Sequence, residues 1–124
     1  MSTLKVNNLQ NTSGGSSSTP EEIEQGRAKA YVHVNGITGT FVRQSFGVSS
    51  VNDNGTGSYT INFSTAFADN EYIMVAGSTN DGHSRGGFGM QTGRNTTDTT
   101  VFCTSHGNNN AHDVRAYWCF FGDQ

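Results

Sequence analysis

Hydrophobic and polar residues alternate with a period of two along most of the chain after residue 30. The clearest alternation covers residues 58–67, where one side is apolar and the other carries hydroxyl and amide groups. The apolar side consists of Tyr59, Ile61, Phe63 and Phe67. Side chains on a strand point alternately to its two faces, so this pattern predicts a strand with one buried and one wet face.

Similar alternation recurs before and after this strand. Residues 31–35 place Tyr31 and His33 on one face of a strand, opposite two valines. Residues 40–51 are predicted to carry Val42, Phe46 and Val48 together on one face. Between the strands, residues 52–57 contain Asn-Gly, which accepts the positive φ of a type I′ turn and therefore predicts a hairpin.

The last predicted strand differs because it is apolar on both faces. Val114, Ala116, Trp118 and Phe120 alternate with a second apolar set. That second set is Tyr117, Cys119 and Phe121. A strand of an antiparallel sheet with one wet face shows polar residues at every second position. This strand is therefore predicted to be covered on both sides, with its second set at an interface between copies of the chain.

The number of such segments predicts the fold class. About seven short strands, joined by turns rich in glycine and asparagine, favour an all-β, antiparallel β-sandwich of jelly-roll-like form. We predict that this domain covers residues 31–124. Residues 1–19 are predicted to be a flexible or extended segment, and residues 20–30 a short helix or trimer collar.

Residues 20–30 carry the signals of a helix start. Thr19 and Glu22 have the spacing of a capping box, and Pro20 suits the first turn. Arg27 and Lys29 are predicted to occupy the last turn, where the helix dipole favours cations. Ile23 and Ala30 are seven residues apart, as in one heptad. Ile23 is therefore a candidate residue of a trimer collar, and a simple surface helix explains the pattern equally well.

The first 19 residues are polar, with Gly14–Ser18 typical of a flexible linker. Leu4, Val6 and Leu9 are the larger apolar residues that follow Met1. Such a segment cannot form a core alone, but it can become ordered on the surface of a partner. We predict that Leu4, Val6 and Leu9 dock on a partner protein, with a disordered terminus as the alternative.

Charge and composition argue against several functions. The chain has 124 residues with a formal net charge of -3, and only 7 residues are Lys or Arg. Without a basic face, nucleic acid is not an expected partner. Neither a membrane-spanning segment nor a signal peptide is predicted, which places folding in a cytoplasm with reduced cysteines. We find no motif for catalysis, a metal site or a cofactor, and predict none.

Two polar loops remain as a candidate recognition surface, at residues 79–87 and 106–113. Loops at one end of a sandwich commonly carry binding residues. Their amide, imidazole and guanidinium groups can hydrogen-bond to sugar hydroxyls, so a glycan is a candidate ligand. The predicted receptor-binding residues are His83, Arg85, Asn108, Asn109, Asn110 and His112.

Three stretches resemble small tail-fibre and virion proteins of cyanobacterial phages. They are MSTLKVNNLQNTSGG at the start, GRAKAYVHVNG at the junction, and FVRQSFGVSSVNDNGTGSYTINFSTAFADNEYIMV beyond it. The resemblance covers residues 1–77 well and is weak in 78–113. It departs from the family pattern at Tyr31, where tryptophan is usual.

The resemblance implies a homotrimeric appendage of a virion assembled in the host cytoplasm. Its N-terminal segment would dock on the particle, and its distal β-domain would face the host cell. A tail fibre fits this description, and so does a head decoration or cement protein or a baseplate connector without a host ligand.

Overall fold

The computed structural model describes residues 1–38, 42–79, 88–104 and 110–124. About 52% of the chain is β-strand, and the described residues form antiparallel sheets and one short helix. The predicted all-β, sandwich-like class is confirmed.

The helix α1 spans Pro20–Gly26, and its predicted capping box is present. The Glu22 backbone N–H donates to Thr19 Oγ1 at 3.2 Å, and the Thr19 N–H donates to Glu22 Oε2 at 2.8 Å. The helix ends earlier than predicted, at a glycine with weak helix propensity. Arg27 therefore caps the helix from outside the last turn.

Two residues predicted in the helix have other roles in the structure. Ala30 begins a strand and is fully buried in the core, so it cannot continue a heptad from Ile23. Lys29 is also buried, and its ammonium group pairs with the Glu24 carboxylate. Arg27 Nη2 contacts the same carboxylate at 3.0 Å. The segment between helix and sheet is therefore held by ion pairs rather than by a longer helix.

The described residues contain ten strands. Their bounds are β1 Leu9–Gln10, β2 Ser17–Ser18, β3 Ala30–Asn35, β4 Val42–Phe46, β5 Val48–Gly55, β6 Ser58–Phe63, β7 Ile73–Thr79, β8 Phe88–Arg94, β9 Asp98–Thr104 and β10 Arg115–Phe121. β1 and β2 form a small hairpin inside the predicted N-terminal segment.

Two four-stranded sheets form the body of the protein. One has the order β4-β3-β10-β7 and the other β5-β6-β9-β8, with antiparallel pairing throughout. We call the first the apolar-faced sheet and the second the polar-faced sheet, after the side chains on their outer faces. Their inner faces meet and form the core.

Aromatic side chains from both sheets fill this core. Trp118 of β10 packs against Tyr59 of β6, with ring centroids 6.2 Å apart. Phe120 meets Phe63 edge to face at 5.0 Å. Tyr59, Trp118 and Phe120 are fully buried. Because aromatic pairs contribute both area and favourable ring geometry, these contacts hold the two sheets together.

The prediction that Val42, Phe46 and Val48 share one face at residues 40–51 is wrong. Gly47 divides the stretch into β4 and β5, which belong to different sheets. Its φ is +65°, and a Cβ there would lie 2.3 Å from the Lys29 carbonyl oxygen. Only glycine fits both conditions without strain. Phe46 and Val48 therefore do not share a face.

The hairpin predicted at residues 52–57 is present, but its turn lies further along the chain. Gly55 pairs with Ser58, which places Thr56 and Gly57 at the centre of the turn. A register shift between Asp53 and Gly55 absorbs one residue, so Asn-Gly forms an irregularity in the strand and not the tip.

Candidate functional site

The outer face of the apolar-faced sheet is built around the central strand β10. Its inward residues are buried, whereas Tyr117, Cys119 and Phe121 point the other way and are partly or largely exposed. This is the division predicted from the sequence, and β10 lies between β3 and β7. Within one copy of the chain, the polar-faced sheet covers only the inner side of β10.

The neighbouring strands extend this exposed apolar surface. Ile73, Val75 and Phe46 have 64%, 56% and 57% of their surface exposed, compared with 43% for Tyr117. Register places Val75 and Tyr31 beside Cys119, and Phe46 beside Tyr31. We call this set the apolar face; its members are Tyr31, His33, Phe46, Ile73, Val75, Tyr117, Cys119 and Phe121.

Ring contacts order the apolar face within one copy. Tyr31 and Phe46 stack with centroids 5.7 Å apart, and His33 meets Tyr117 edge to face at 6.0 Å. Tyr117 lies over Gly77, where an added Cβ would be only 2.2 Å from Tyr117 Cε2. The glycine therefore lets the tyrosine ring lie flat across β7.

His33 has a buried nitrogen without a partner. Its Nε2 is inaccessible to solvent and makes no hydrogen bond within the described part of the chain. An unsatisfied buried polar atom typically costs about 1–3 kcal/mol. The cost arises in the middle of the apolar face, beside Tyr117.

The apolar face is nearly free of charge. At the paired outer positions of its four strands, the single charged residue among those described is Arg115, at one end of β10. Arg115 Nε donates to Asn35 Oδ1 at 3.3 Å. Arg43 lies where the register of β3 and β4 shifts, outside the regular pairs. The surface therefore presents hydrophobic groups with little electrostatic pattern.

Several residues of this face were missed by the sequence analysis. The predicted interface included Tyr117, Cys119 and Phe121 but not Ile73, Val75 or Phe46. The alternation of Ile73 and Val75 around Met74 is visible in the sequence. It does not reveal which of the two sets faces the core, because Met74 is apolar too.

Ile23 lies with the predicted docking residues. Leu4, Val6, Leu9 and Ile23 line one depression of about 540 Å³. Leu4 is the most exposed of these four side chains, at 83%. The structure thus brings together three residues predicted to dock on other proteins and one predicted for a trimer collar.

The predicted receptor-binding residues are only partly described. His83, Arg85, Asn108 and Asn109 lie outside the described residues. Asn110 is exposed and His112 is partly buried. The His112 backbone N–H donates to the Cys103 carbonyl at 3.1 Å, which fixes the end of this loop against β9.

Among the described residues, Asp113, Tyr59 and Cys103 form the group that most resembles a reactive site, and their contacts are structural. Asp113 Oδ1 accepts from Tyr59 Oη at 3.2 Å and from the Gly57 backbone at 2.9 Å. Burial, with a smaller contribution from Asp113, raises the pKa of Cys103 to about 12. Burial and Asp113 also raise the pKa of Tyr59. Both groups therefore stay protonated at neutral pH and are poor nucleophiles.

The described residues contain no group of three or more His, Cys, Asp or Glu side chains placed to hold a metal ion. Nor do they contain a helix long and apolar enough to cross a membrane. Both cysteines are free thiols, Cys103 buried and Cys119 partly exposed.

Comparison with known proteins finds no matching family, no matching curated protein and no matching solved structure. The resemblance to phage tail-fibre proteins therefore stays a prediction.

Proposed function

We propose that this chain is a non-enzymatic structural protein of a bacteriophage virion, assembled in the host cytoplasm as part of a tail fibre or similar appendage. In this proposal it is a homotrimer of jelly-roll-like domains. The observation that carries the proposal is the apolar face: a sandwich with a complete core still exposes a second hydrophobic surface. Such a surface is typical of proteins that act by assembly.

The N-terminal segment supports attachment to other virion proteins. Leu4, Val6 and Leu9 are exposed around one depression and have little of the sandwich core to pack against. An apolar segment of this kind gains stability by ordering on a partner surface. Residues 1–19 are the docking segment in this proposal.

The distal part of the domain would contact the host cell, with surface glycan as the candidate ligand. Asn110 and His112 support this role because they belong to a polar loop whose end is anchored to β9. A rigid anchor with polar side chains beyond it is a common arrangement for recognition loops.

A head decoration, cement or baseplate connector protein is the second candidate. The polar-faced sheet favours it, because its outer hydroxyl and amide groups bond to one another. Asn54 Nδ2 donates to Thr60 Oγ1 at 2.8 Å, and Asn62 Nδ2 donates to Ser50 Oγ at 3.0 Å. Polar groups satisfied in this way offer fewer hydrogen bonds to a host ligand.

Particle incorporation tests the proposal in the full-length chain. The double variant Leu4→Ser, Leu9→Ser should keep its β-rich circular dichroism spectrum and be lost from purified particles. Ile37→Ser is the matched control, because it replaces another exposed aliphatic residue outside the docking segment. Wild-type protein that never copurifies with particles would contradict the virion role, whichever appendage is considered.

A further inference from the structure

Two asparagines in the sequence are followed by glycine, Asn35 and Asn54, and the structure places them in opposite surroundings. In an Asn-Gly pair the glycine nitrogen can attack the asparagine side-chain amide, because glycine has no Cβ to hinder the approach. Asn35 is fully buried, whereas Asn54 and Gly55 are both exposed. The same pair of residues therefore occurs once inside the fold and once in contact with water.

The sheet holds the backbone at Asn54 less tightly than its neighbours. Asp53 pairs with Tyr59 and Gly55 pairs with Ser58, so the register shift leaves Asn54 without a paired position on β6. An extra residue of this kind is unpaired and disrupts the ladder locally. A Cβ built on Gly55 would have no other atom within 4 Å, so there is open space around this glycine. The Asn54 side chain and the Gly55 nitrogen therefore have room to approach each other.

The Asp53 carboxylate is in contact with the nitrogen that would attack. The Gly55 N–H donates to Asp53 Oδ1 at 2.9 Å. A peptide nitrogen becomes a nucleophile when it gives up its proton, and a carboxylate within hydrogen-bond reach can accept that proton. The side-chain amide is also held, because Asn54 Nδ2 donates to Thr60 Oγ1 at 2.8 Å. The base, the nucleophile and the amide thus belong to three consecutive residues.

The buried pair lacks these features. Asn35 Oδ1 accepts from Arg115 Nε at 3.3 Å, and the Gly36 N–H donates to the Val114 carbonyl at 3.0 Å. A backbone carbonyl does not take a proton from an amide nitrogen. Asn35 is therefore expected to react only after local opening of the fold.

We propose that Asn54 is a site of spontaneous deamidation, with Asp53 as the base, and that the fold protects Asn35. The Gly55 nitrogen gives its proton to Asp53 and forms a bond to Asn54 Cγ. The Cγ–Nδ2 bond then breaks, and the side-chain nitrogen leaves as ammonia with the proton that Asp53 returns. Water opens the resulting succinimide at either of its carbonyls, which yields aspartate or isoaspartate at position 54.

The modification changes the end of the domain at which this hairpin lies. It adds a negative charge beside Asp53 and removes the N–H donor that Asn54 supplies to Thr60. Isoaspartate also lengthens the main chain at the register shift. The hairpin turn contacts the segment before β10, since the Gly57 N–H donates to Asp113 Oδ1 at 2.9 Å. Deamidation therefore alters both charge and backbone close to this contact.

Peptide mass spectrometry of the folded, full-length chain after incubation at mildly alkaline pH tests the proposal. Asn54 should be converted roughly tenfold or more faster than Asn35, since a buried amide reacts only through local opening. The products at position 54 should include isoaspartate, which the succinimide gives and direct hydrolysis of the amide does not. This comparison of two sites in one wild-type chain depends on no variant.

Two variants test the chemistry. Asn54→Gln keeps a side-chain amide but would have to close a larger ring, so position 54 should stay unmodified. Asp53→Asn keeps an oxygen that can accept from the Gly55 N–H but is not a base, and should slow conversion of Asn54 severalfold. Circular dichroism of each variant checks that its β-sheet content is unchanged.

Each part of the proposal has a result that would overturn it. Equal conversion of Asn35 and Asn54 would contradict protection by the fold. An intact Asn54, under conditions that convert a free peptide of residues 50–58, would contradict the modification site. An unchanged rate in folded Asp53→Asn would contradict the role of Asp53 as the base.

Discussion

The two sheets of this protein are alike on their inner faces and opposite on their outer faces. In the polar-faced sheet, the hydroxyls of Thr60 and Thr100 are hydrogen-bonded across β6 and β9 at 3.2 Å. In the apolar-faced sheet, the equivalent outer positions of β10 hold Tyr117 and Cys119. One outer face satisfies its polar groups within the chain, whereas the other leaves hydrophobic groups exposed.

The difference shows that the core alone does not explain the sequence. Burial in the core accounts for every second residue of β6 and of β10. The outer residues of β6 are polar, as solvent contact requires, whereas those of β10 beyond Arg115 are Tyr117, Cys119 and Phe121. The core does not account for Tyr117, Cys119 and Phe121 on the outer side of β10, and these residues fit the assembly that we propose.

The largest expected effect is on the free energy of unfolding, and it distinguishes the inner side of β10 from the outer side. Trp118→Ala should lower the free energy of unfolding by about 3–5 kcal/mol, because it leaves a large cavity between the sheets. Tyr117→Ala should lower it by about 1 kcal/mol or less in a single copy, since the ring is on the outer face. Chemical denaturation at low protein concentration measures both values.

Association between copies of the chain should depend on the outer residue, Tyr117, and not on the inner one. Tyr117→Ala should reduce the mass of the assembly at a concentration where wild type is associated. If Tyr117→Ala destabilised the single chain as much as Trp118→Ala, the division between an inner and an outer side would be wrong.

Two glycines, one in a strand of each sheet, allow a comparison with a smaller expected effect on association. Gly77→Ala would place a Cβ 2.2 Å from the Tyr117 ring, so the ring must move and association should weaken by several-fold. Gly93→Ala, in the polar-faced sheet, meets Thr100 at an ordinary contact distance of 3.5 Å. It should leave association unchanged. Light scattering of both variants against wild type checks the difference.

The smallest expected effect is on the pH dependence of stability, and it comes from Glu24 in the segment before the sheets. Its hydrogen bond from Lys29, with a weaker contribution from the Arg27 charge, lowers the pKa of this carboxyl. A lowered folded pKa adds stability above the unfolded pKa, and this stability is lost as pH falls through the folded value. Glu24→Gln should therefore be slightly less stable than wild type at neutral pH and equal to it in strong acid.

Thermal unfolding across the acid range measures this effect. Because Glu24 belongs to neither outer face, the substitution should not change the mass of the protein. A change in mass would connect the N-terminal segment to the assembly that we propose.

Local pattern was sufficient to predict the strand interiors and the helix start. The alternation in β3, β6 and β10 identified their two faces, and Thr19 with Glu22 identified the cap. Both signals depend on residues within a few positions of each other. This is why they could be read directly from the sequence.

Features that depend on distant residues could not be predicted in this way. Gly47 divides the stretch of residues 40–51 because the Lys29 carbonyl lies against it. Ala30 was predicted to lie in the helix, but the pairing of β3 with β10 places it in the core. The apolar face was predicted only along β10, since the contributions of β4 and β7 depend on which strands lie beside it.

Oxidative footprinting of the full-length chain at several protein concentrations compares the exposure of the two outer faces in one experiment. In the single chain Phe46 and Tyr117 are more exposed than Phe102, which lies on β9 of the polar-faced sheet. If copies of the chain pack through the apolar face, Phe46 and Tyr117 are protected at high concentration while Phe102 is modified as before. Modification of Phe46 and Tyr117 that is strong and independent of concentration would contradict it.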